Sequence, residues 1–408
     1  MPRLYVARLV LLAAVMASDI GHAQESKVFK PFAVVARIDQ ELRVGTEAVA
    51  SAKKGDILTV YRAHNDRYAP KTGNGKIGWV TQNDVAQLPA AVELFDELIK
   101  ESPRTARLYA WRGLSRWGRN EPAEAVEDFS QAIKLGDKSA WLFEYRAMCY
   151  SLLEKHKEAL SDYSVAIEGG KTDAAILASR AAAYLAEGKF KEGIADYDAV
   201  LKQEPKRHDI YYQRAVAKKG LGALDEAIAD FTAAIELSPE YVQALNGRGF
   251  AWFQKGEAKE AIADFSAVIK LDPKAALALN NRGYNRQLLG DYNDAIEDYV
   301  AALRVESDYI LAHQNLAWLL ATADDAKVRN GNVALKAATK ACVLTEYEDF
   351  GSLRVLAAAC AEVGDYTNAL KWQRKVIELI PKDHQIEEQE ALRKYEAKQP
   401  SRMASLAG

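Results

Sequence analysis

Two columns of charge carry the most regular chemistry in this 408-residue chain. Arginine recurs at Arg112, Arg146, Arg180, Arg214, Arg248 and Arg282, and aspartate at Asp128, Asp162, Asp196, Asp230, Asp264 and Asp298. Within each column the spacing is 34 residues. A guanidinium presents a planar fork of donors that fits a carboxylate in two parallel hydrogen bonds. Two columns of opposite charge and equal length therefore imply a ladder of partly buried ion pairs, one per repeating unit. The alternative is an anion-binding stripe, but a cation column that brings its own counter-ions is usually satisfied internally.

Other reactive side chains are scattered. The histidines (His22, His64, His156, His208, His313 and His384) form no metal-spaced pair, and the chain has no His-Glu-x-x-His, Cys-x-x-Cys or Gly-x-Ser-x-Gly. Neither an enzyme nor a metal protein is expected. Three cysteines, Cys149, Cys342 and Cys360, leave at least one free thiol. Cys342 and Cys360 fall on adjacent helical segments, where they either pair or pack as small buried hydrophobes. Gly73-Asn74-Gly75-Lys76-Ile77-Gly78 matches G-x-G-x-x-G. A dinucleotide site needs that pattern to follow a strand and open a helix. Here it lies in a turn leading into the strand-like Ile77 to Val80, so no cofactor is expected. A net charge of −3 and the lack of a basic block argue against a nucleic-acid partner.

The elements that position the charged columns are written in the same period. Counting from the first residue of each unit, position 8 is small (Gly113, Ala147, Ala181, Ala215, Gly249, Gly283). Position 20 is also small (Ala125, Ala159, Gly193, Ala227, Ala261, Ala295), and position 24 is aromatic (Phe129, Tyr163, Tyr197, Phe231, Phe265, Tyr299). Position 27 is Ala or Val. Small residues let two helices approach closely, and the aromatic fills the space their missing side chains leave. Gly188, Gly222, Gly256 and Gly290 at position 15 can end a first helix in the left-handed conformation. Pro205, Pro239 and Pro273 at position 32 cannot continue a second helix. No such hairpin buries its apolar face alone, so neighbours must stack into a continuous core.

This register resembles the tetratricopeptide repeat (TPR) family. The resemblance implies a mostly α protein, a right-handed α-solenoid whose first helices line a concave groove for a protein or extended peptide. In that family positions 2, 5, 9, 12 and 13 face the groove, with position 6 nearby. On this chain the later units place Tyr212, Asn246, Phe250, Phe253, Asn280, Asn281, Tyr284, Gln314, Asn315 and Trp318 there. Side-chain amides donate to a peptide carbonyl and accept from a peptide N–H at once. Aromatic rings add contact area with few rotors to freeze. The alternative for Phe250, Phe253 and Trp318 is packing between units. Two departures are plain. The family usually has leucine at position 7, where this chain has its arginine column. Its carboxylate-clamp variant uses lysines at positions 2 and 5 and asparagine at 9, a pattern absent here.

The chain opens differently. Arg3 and Arg8 precede an apolar run from Leu9 to Ala17, and Gly21-His22-Ala23 resembles a small-x-small cleavage site before Gln24. That is the form of a secretory signal peptide over 1–23, too short to remain as a membrane span. Its removal moves the net charge from −3 to −4. Residues 24–88 then show short β-branched runs separated by Lys54-Gly55-Asp56 and by Thr72-Gly73-Asn74-Gly75. Ala36-Arg37 with Leu42, Lys54-Gly55-Asp56, Gly78-Trp79-Val80 and Asp84-Val85 resemble a bacterial SH3-like domain. The resemblance implies a small all-β barrel found in exported, envelope-associated proteins.

Residues 89–105 read as a linker helix that joins as half a repeat, with Ala91, Phe95 and Leu98 at positions 20, 24 and 27. The solenoid is then expected over 106–383, in units 106–139, 140–173, 174–207, 208–241, 242–275, 276–309, 310–349 and 350–383. The seventh carries an insertion of five residues around 324–331. Residues 384–408 supply a charged capping helix and tail. The expected protein is an exported, non-enzymatic scaffold for a protein or peptide partner, without nucleic acid or an integral membrane span. The alternative is an envelope factor whose SH3-like domain binds a cell-wall component.

Overall fold

The computed structural model describes residues 32–36, 40–44, 47–52, 54, 57–64, 67–70, 80–81, 85–382 and 385–403. The leader 1–23, the Gly73–Gly78 motif, and Arg37, Gly55, Asp56, Trp79 and Asp84 of the β region lie outside the described residues, as does His384. The chain divides into two compact units, one ending at Gln203 and the other beginning at Glu204.

Among the described residues the first unit contains seven strands: β1 (Phe32–Ala36), β2 (Gln40–Val44), β3 (Glu47–Ala52), β4 (Ile57–His64), β5 (Arg67–Pro70), β6 (Val80–Thr81) and β7 (Val85–Gln87). β6, β5, β4, β1 and β7 form a five-stranded sheet in that order, and β2 pairs with β3 separately. β1 is antiparallel to both neighbours, with Val34 opposite Leu58 of β4 and Gln87 of β7. Side chains alternate across a strand, and β1 buries both faces. Val34 and Ala36 pack with Ala52, Val60 and Val85, while Val35 turns the other way onto Ala86, Ala91 and Phe95. β1 is thus the joint between the β layer and the helices.

A 3-10 turn at Leu88–Ala91 leads into α1 (Val92–Glu101). Phe95 is fully buried, with its ring 6.1 Å from that of Trp111. Three antiparallel hairpins follow: α2 (Ala106–Gly118) with α3 (Pro122–Lys134), α4 (Ala140–Leu152) with α5 (His156–Glu168), and α6 (Ala174–Ala186) with α7 (Phe190–Gln203).

The second unit contains five more: α8 (His208–Gly220) with α9 (Leu224–Leu237), α10 (Val242–Lys255) with α11 (Ala258–Leu271), α12 (Ala276–Leu288) with α13 (Tyr292–Val305), α14 (Ile310–Thr322) with α15 (Gly331–Leu344), and α16 (Phe350–Glu362) with α17 (Tyr366–Leu379). α18 (Ile386–Glu396) closes the described chain. Gly283 explains why position 8 must be small. A Cβ there would sit 2.9 Å from Cε1 of Tyr299 and 3.1 Å from the Ala295 carbonyl oxygen. At the turn between α10 and α11, Gly256 has φ of 82°, the left-handed region that glycine adopts without strain.

Within each of the first six hairpins one arginine fastens its own pair of helices. Arg146 donates from Nε to Oδ2 of Asp162 at 2.7 Å and from Nη2 to Oδ1 at 2.8 Å. Arg248 and Asp264 repeat this at 2.9 and 2.7 Å. The aspartates are 2–7% exposed. Within a unit the remaining nitrogen, Nη1, reaches the second helix of the preceding hairpin. Arg146 meets Ser130 Oγ at 3.0 Å, Arg248 meets Thr232 Oγ1 at 3.0 Å, and Arg282 meets Ser266 Oγ at 3.3 Å. At the start of the array Arg112 meets Asp96 of α1 at 2.6 Å instead. Within each unit one side chain therefore ties both the helices of a hairpin and successive hairpins. The Asp196 carboxylate holds the Arg180 guanidinium above its ordinary pKa, against the opposing effect of burial.

The seventh hairpin departs from the pattern at position 7, where Leu316 is buried in an extended apolar cluster with Leu320, Leu353 and Leu356. Helix ends leave carbonyls without partners, and the insertion after α14 supplies them. The Leu320 carbonyl accepts from the Asn330 amide at 2.9 Å, and Ala323 accepts from Arg329 at 2.8 Å. The tail beyond α18 supplies two more donors. Arg402 reaches the Ala321 carbonyl at 3.3 Å, and the Met403 amide reaches Thr322 at 2.8 Å. Glu362 anchors both arginines, Arg329 at 3.1 Å and Arg402 at 2.7 Å. The insertion is fixed structure at α14's end, not a free loop. Cys149, Cys342 and Cys360 are buried free thiols.

Candidate functional site

The first helices of three successive hairpins, α10, α12 and α14, bound a cleft of about 220 Å³ in the second unit. Their phase sets its lining, because residues three and four apart share one helix face. Phe250 and Phe253 of α10 lie with ring centroids 5.8 Å apart. Tyr284 of α12 meets Phe253 edge-on at 5.6 Å. Phe265 closes the floor, and Leu311 of α14 stands at the rim. Phe250 is 39% exposed and Leu311 52%. Large apolar side chains left this open on neighbouring helices are informative, since single exposed ones are common but clusters mark interaction sites.

A row of side-chain amides crosses the cleft. Asn315 Nδ2 donates to Asn280 Oδ1 at 2.9 Å, and Asn280 Nδ2 donates to Asn281 Oδ1 at 3.3 Å. Among the described residues this leaves Asn281 Nδ2 as a donor and Asn315 Oδ1 as an acceptor at opposite ends of the row. Asn285 is 2% exposed; its Nδ2 donates to the Asn281 carbonyl at 2.8 Å, while its Oδ1 has no hydrogen-bond partner.

Six of the ten groove residues expected from the sequence therefore meet at one cleft: Phe250, Phe253, Asn280, Asn281, Tyr284 and Asn315. Asn280 is the buried middle of the row, bonded to Asn315 on one side and Asn281 on the other. The other four lie outside the cleft. Tyr212 packs between hairpins, 5.8 Å from Phe231 and 5.3 Å from Tyr241. Gln314 is committed to Asp349 and Ser352, both at 2.8 Å, at the start of α16. Trp318 packs on the apolar cluster beneath Arg354, 4.5 Å away. Asn246 sits one turn before Phe250, with its Oδ1 buried and without a hydrogen-bond partner.

Phe265, Asn285, Leu311 and Lys219 were not among the expected site residues. Leu311 occupies position 2, a groove column whose apolar members, Leu277 and Leu311, were readable in the sequence. Lys219 of α8 places its Nζ 4.8 Å from the centre of the Phe250 ring. Burial lowers its pKa below the ordinary lysine value. No group of three or more His, Cys, Asp or Glu among the described residues is placed to hold a metal ion. No helix among them is long and apolar enough to cross a membrane.

These paired helices and their contacts define a class, and comparison with known proteins agrees. A family model described as tetratricopeptide repeat matches residues 84–140 and 212–276, so those segments carry TPR repeats. The C-terminal part of a TPR repeat-containing protein from Cytophaga hutchinsonii shares the fold with a TM-score of 0.52. It is 19% identical, over 60% of this chain and 98% of that one. MamA from Desulfovibrio magneticus (19% identity, 42% of this chain, 97% of that chain, TM-score 0.40) is also similar. So is YrrB, described as a TPR protein with an unusual peptide-binding site (21% identity, 54% and 97%, TM-score 0.31). No curated protein matches the chain.

Proposed function

We propose that this chain is an exported, non-enzymatic scaffold that holds a protein or extended peptide along the first helices of its second unit. The observation that carries this reading is the cleft between α10, α12 and α14. It joins exposed Phe250 and Leu311 to a row of amides that leaves the Asn281 amide nitrogen to donate and the Asn315 amide oxygen to accept. An extended chain offers the matching pair in every peptide group. Asn246, Gln314 and Trp318 lie on the same first helices as the lining, and Tyr212 lies on α8, the first helix before them. Export rests on the sequence alone, on the apolar run Leu9 to Ala17 behind Arg3 and Arg8 and on the small residues before Gln24. A processed N-terminus at Gln24, read by mass spectrometry, is its test.

The β layer ahead of α1 is proposed to be an SH3-like barrel that adds a second contact or an envelope tether. Its supports are the motifs around Lys54 and Val85 and the short antiparallel strands that surround β1. The groove reading is tested by placing p-benzoylphenylalanine at position 284, or at exposed position 260 of α11 as a control, and irradiating the full chain with peptides selected from a random dodecamer display library. Adducts from 284 and not from 260 are expected. Selection of no peptide above background, or adducts from 260 alone, overturns the reading.

A further inference from the structure

Lys219 stands at the Phe250 end of the cleft without a carboxylate partner among the described residues. Its neighbours are paired: Lys218 meets Asp230 at 2.8 Å, and Lys255 contacts Asp225. Lys219 is instead half-buried against an aromatic face, and burial disfavours its charged form. A desolvated cation without a counter-ion is costly, and an incoming carboxylate recovers part of that cost. None of the residues lining the cleft is charged, so nothing there repels an anion.

We infer that the cleft selects an extended segment carrying a large apolar side chain, with an acidic side chain one or two residues away on the Lys219 side. The inference rests on the peptide-binding reading and adds its chemical specificity. The apolar side chain enters between Phe253, Tyr284 and Leu311. The backbone of the same segment lies along the row from Asn281 to Asn315. The spacing follows from distances already given. Lys219 Nζ is 4.8 Å from the Phe250 ring, and that ring is 5.8 Å from Phe253. An extended chain rises about 3.3 Å per residue, and an acidic side chain with its hydrogen bond to the ammonium covers the remaining gap, so one or two residues bridge from the apolar position to the cation. A cation poised over an aromatic ring also keeps its place without a partner, because the ring face attracts it. The charge therefore waits at the rim instead of swinging away into solvent.

The test is fluorescence polarisation of labelled, C-terminally amidated hexapeptides with Leu, Phe or Trp at the centre and Asp or Asn at each flanking position. Each is titrated with the full chain and with Lys219→Gln, whose melting curve checks that it folds. On the wild-type chain, Asp on one side of the centre is expected to bind at least about fivefold tighter than Asn, a preference of the size charged partners give. The preference should disappear in Lys219→Gln, with the Asn peptides unchanged. Equal binding of Asp and Asn peptides by the wild-type chain overturns the inference and leaves the peptide reading intact. The Asn-flanked peptides are also made with a free C-terminus; tight binding by these alone overturns the inference in favour of end capture. Failure of every apolar-centred peptide to bind, acidic or neutral, tells against the peptide reading itself.

Discussion

Arg248 and Asp264 form a two-pronged ion pair with no second cation on the carboxylate among the described residues, whereas Asp298 takes both Arg282 and, at 2.7 Å, Arg286. The two sites are otherwise alike, so they separate the cost of an unpaired buried charge from the loss of one bond. Removing one partner of a buried pair costs about 3–5 kcal/mol, mainly because the other is stranded. Arg248→Met is expected to destabilise the second unit by about that amount. Arg282→Met should cost less, roughly 1–2 kcal/mol, because Arg286 remains on Asp298. Urea unfolding of the full chain compares them; equal losses would show that the second cation contributes nothing.

The tail that closes α14 predicts a local effect. Arg402→Gln with Met403→Ala removes the donor to Ala321, the ion pair to Glu362 and a side chain packed against the apolar cluster around α14. The expected loss is about 2–3 kcal/mol, from one charged hydrogen bond, a partly exposed ion pair and a truncated side chain. Hydrogen exchange by mass spectrometry should quicken over residues 317–330 and stay unchanged over α8 and α9. An unchanged pattern over 317–330 would mean that the tail only rests on the surface.

The period of 34 made the hairpins, the small-against-aromatic contacts and the charged columns legible, because each is a nearest-neighbour relation that recurs at a fixed offset. The further reach of each arginine was written in the same way. Ser130, Ser164, Thr232 and Ser266 share one position, yet hydroxyls carry no charge to suggest a partner. The cleft was legible as a face and not as a site. Helical phase says that Asn280 and Gln314 point to one side. Only the packing of the adjoining hairpin buries the first and engages the second with Asp349 and Ser352. The closure of α14 by Arg402 joins residues 81 apart and follows no period, so nothing in the repeat announces it.

Gly283→Ala tests the closest helix approach. The new methyl would stand 2.9 Å from Cε1 of Tyr299, a buried ring whose hydroxyl donates to Gln287 at 2.9 Å. Overpacking of this kind costs about 1–3 kcal/mol. Thermal unfolding should show that loss, with partial recovery in Gly283→Ala/Tyr299→Phe if the hydroxyl anchor is what prevents the ring from moving. A neutral Gly283→Ala would contradict the close approach.

Burial pushes the Cys149 and Cys342 thiols up to about 12 and Cys360 to about 11, from an ordinary 9.0. The folded state therefore holds these protons more tightly than the unfolded chain. The resulting stability is fully present below about pH 9 and is lost as pH rises through the folded values. Iodoacetamide at pH 8 is expected to leave all three unmodified in the folded protein and to label them in urea. Rapid labelling of the folded protein would contradict their burial.

The central claim is that a partner lies across the first helices at the cleft. Its most direct test is isothermal titration of library-selected dodecamers into the wild-type chain and into Phe250→Ala/Asn281→Ala, with far-ultraviolet circular dichroism confirming that both are folded. Removing a central anchor of a binding site commonly costs 2 kcal/mol or more, so affinity is predicted to fall at least about tenfold. Affinities within about twofold of each other, well below the shift an anchor would produce, would contradict the claim.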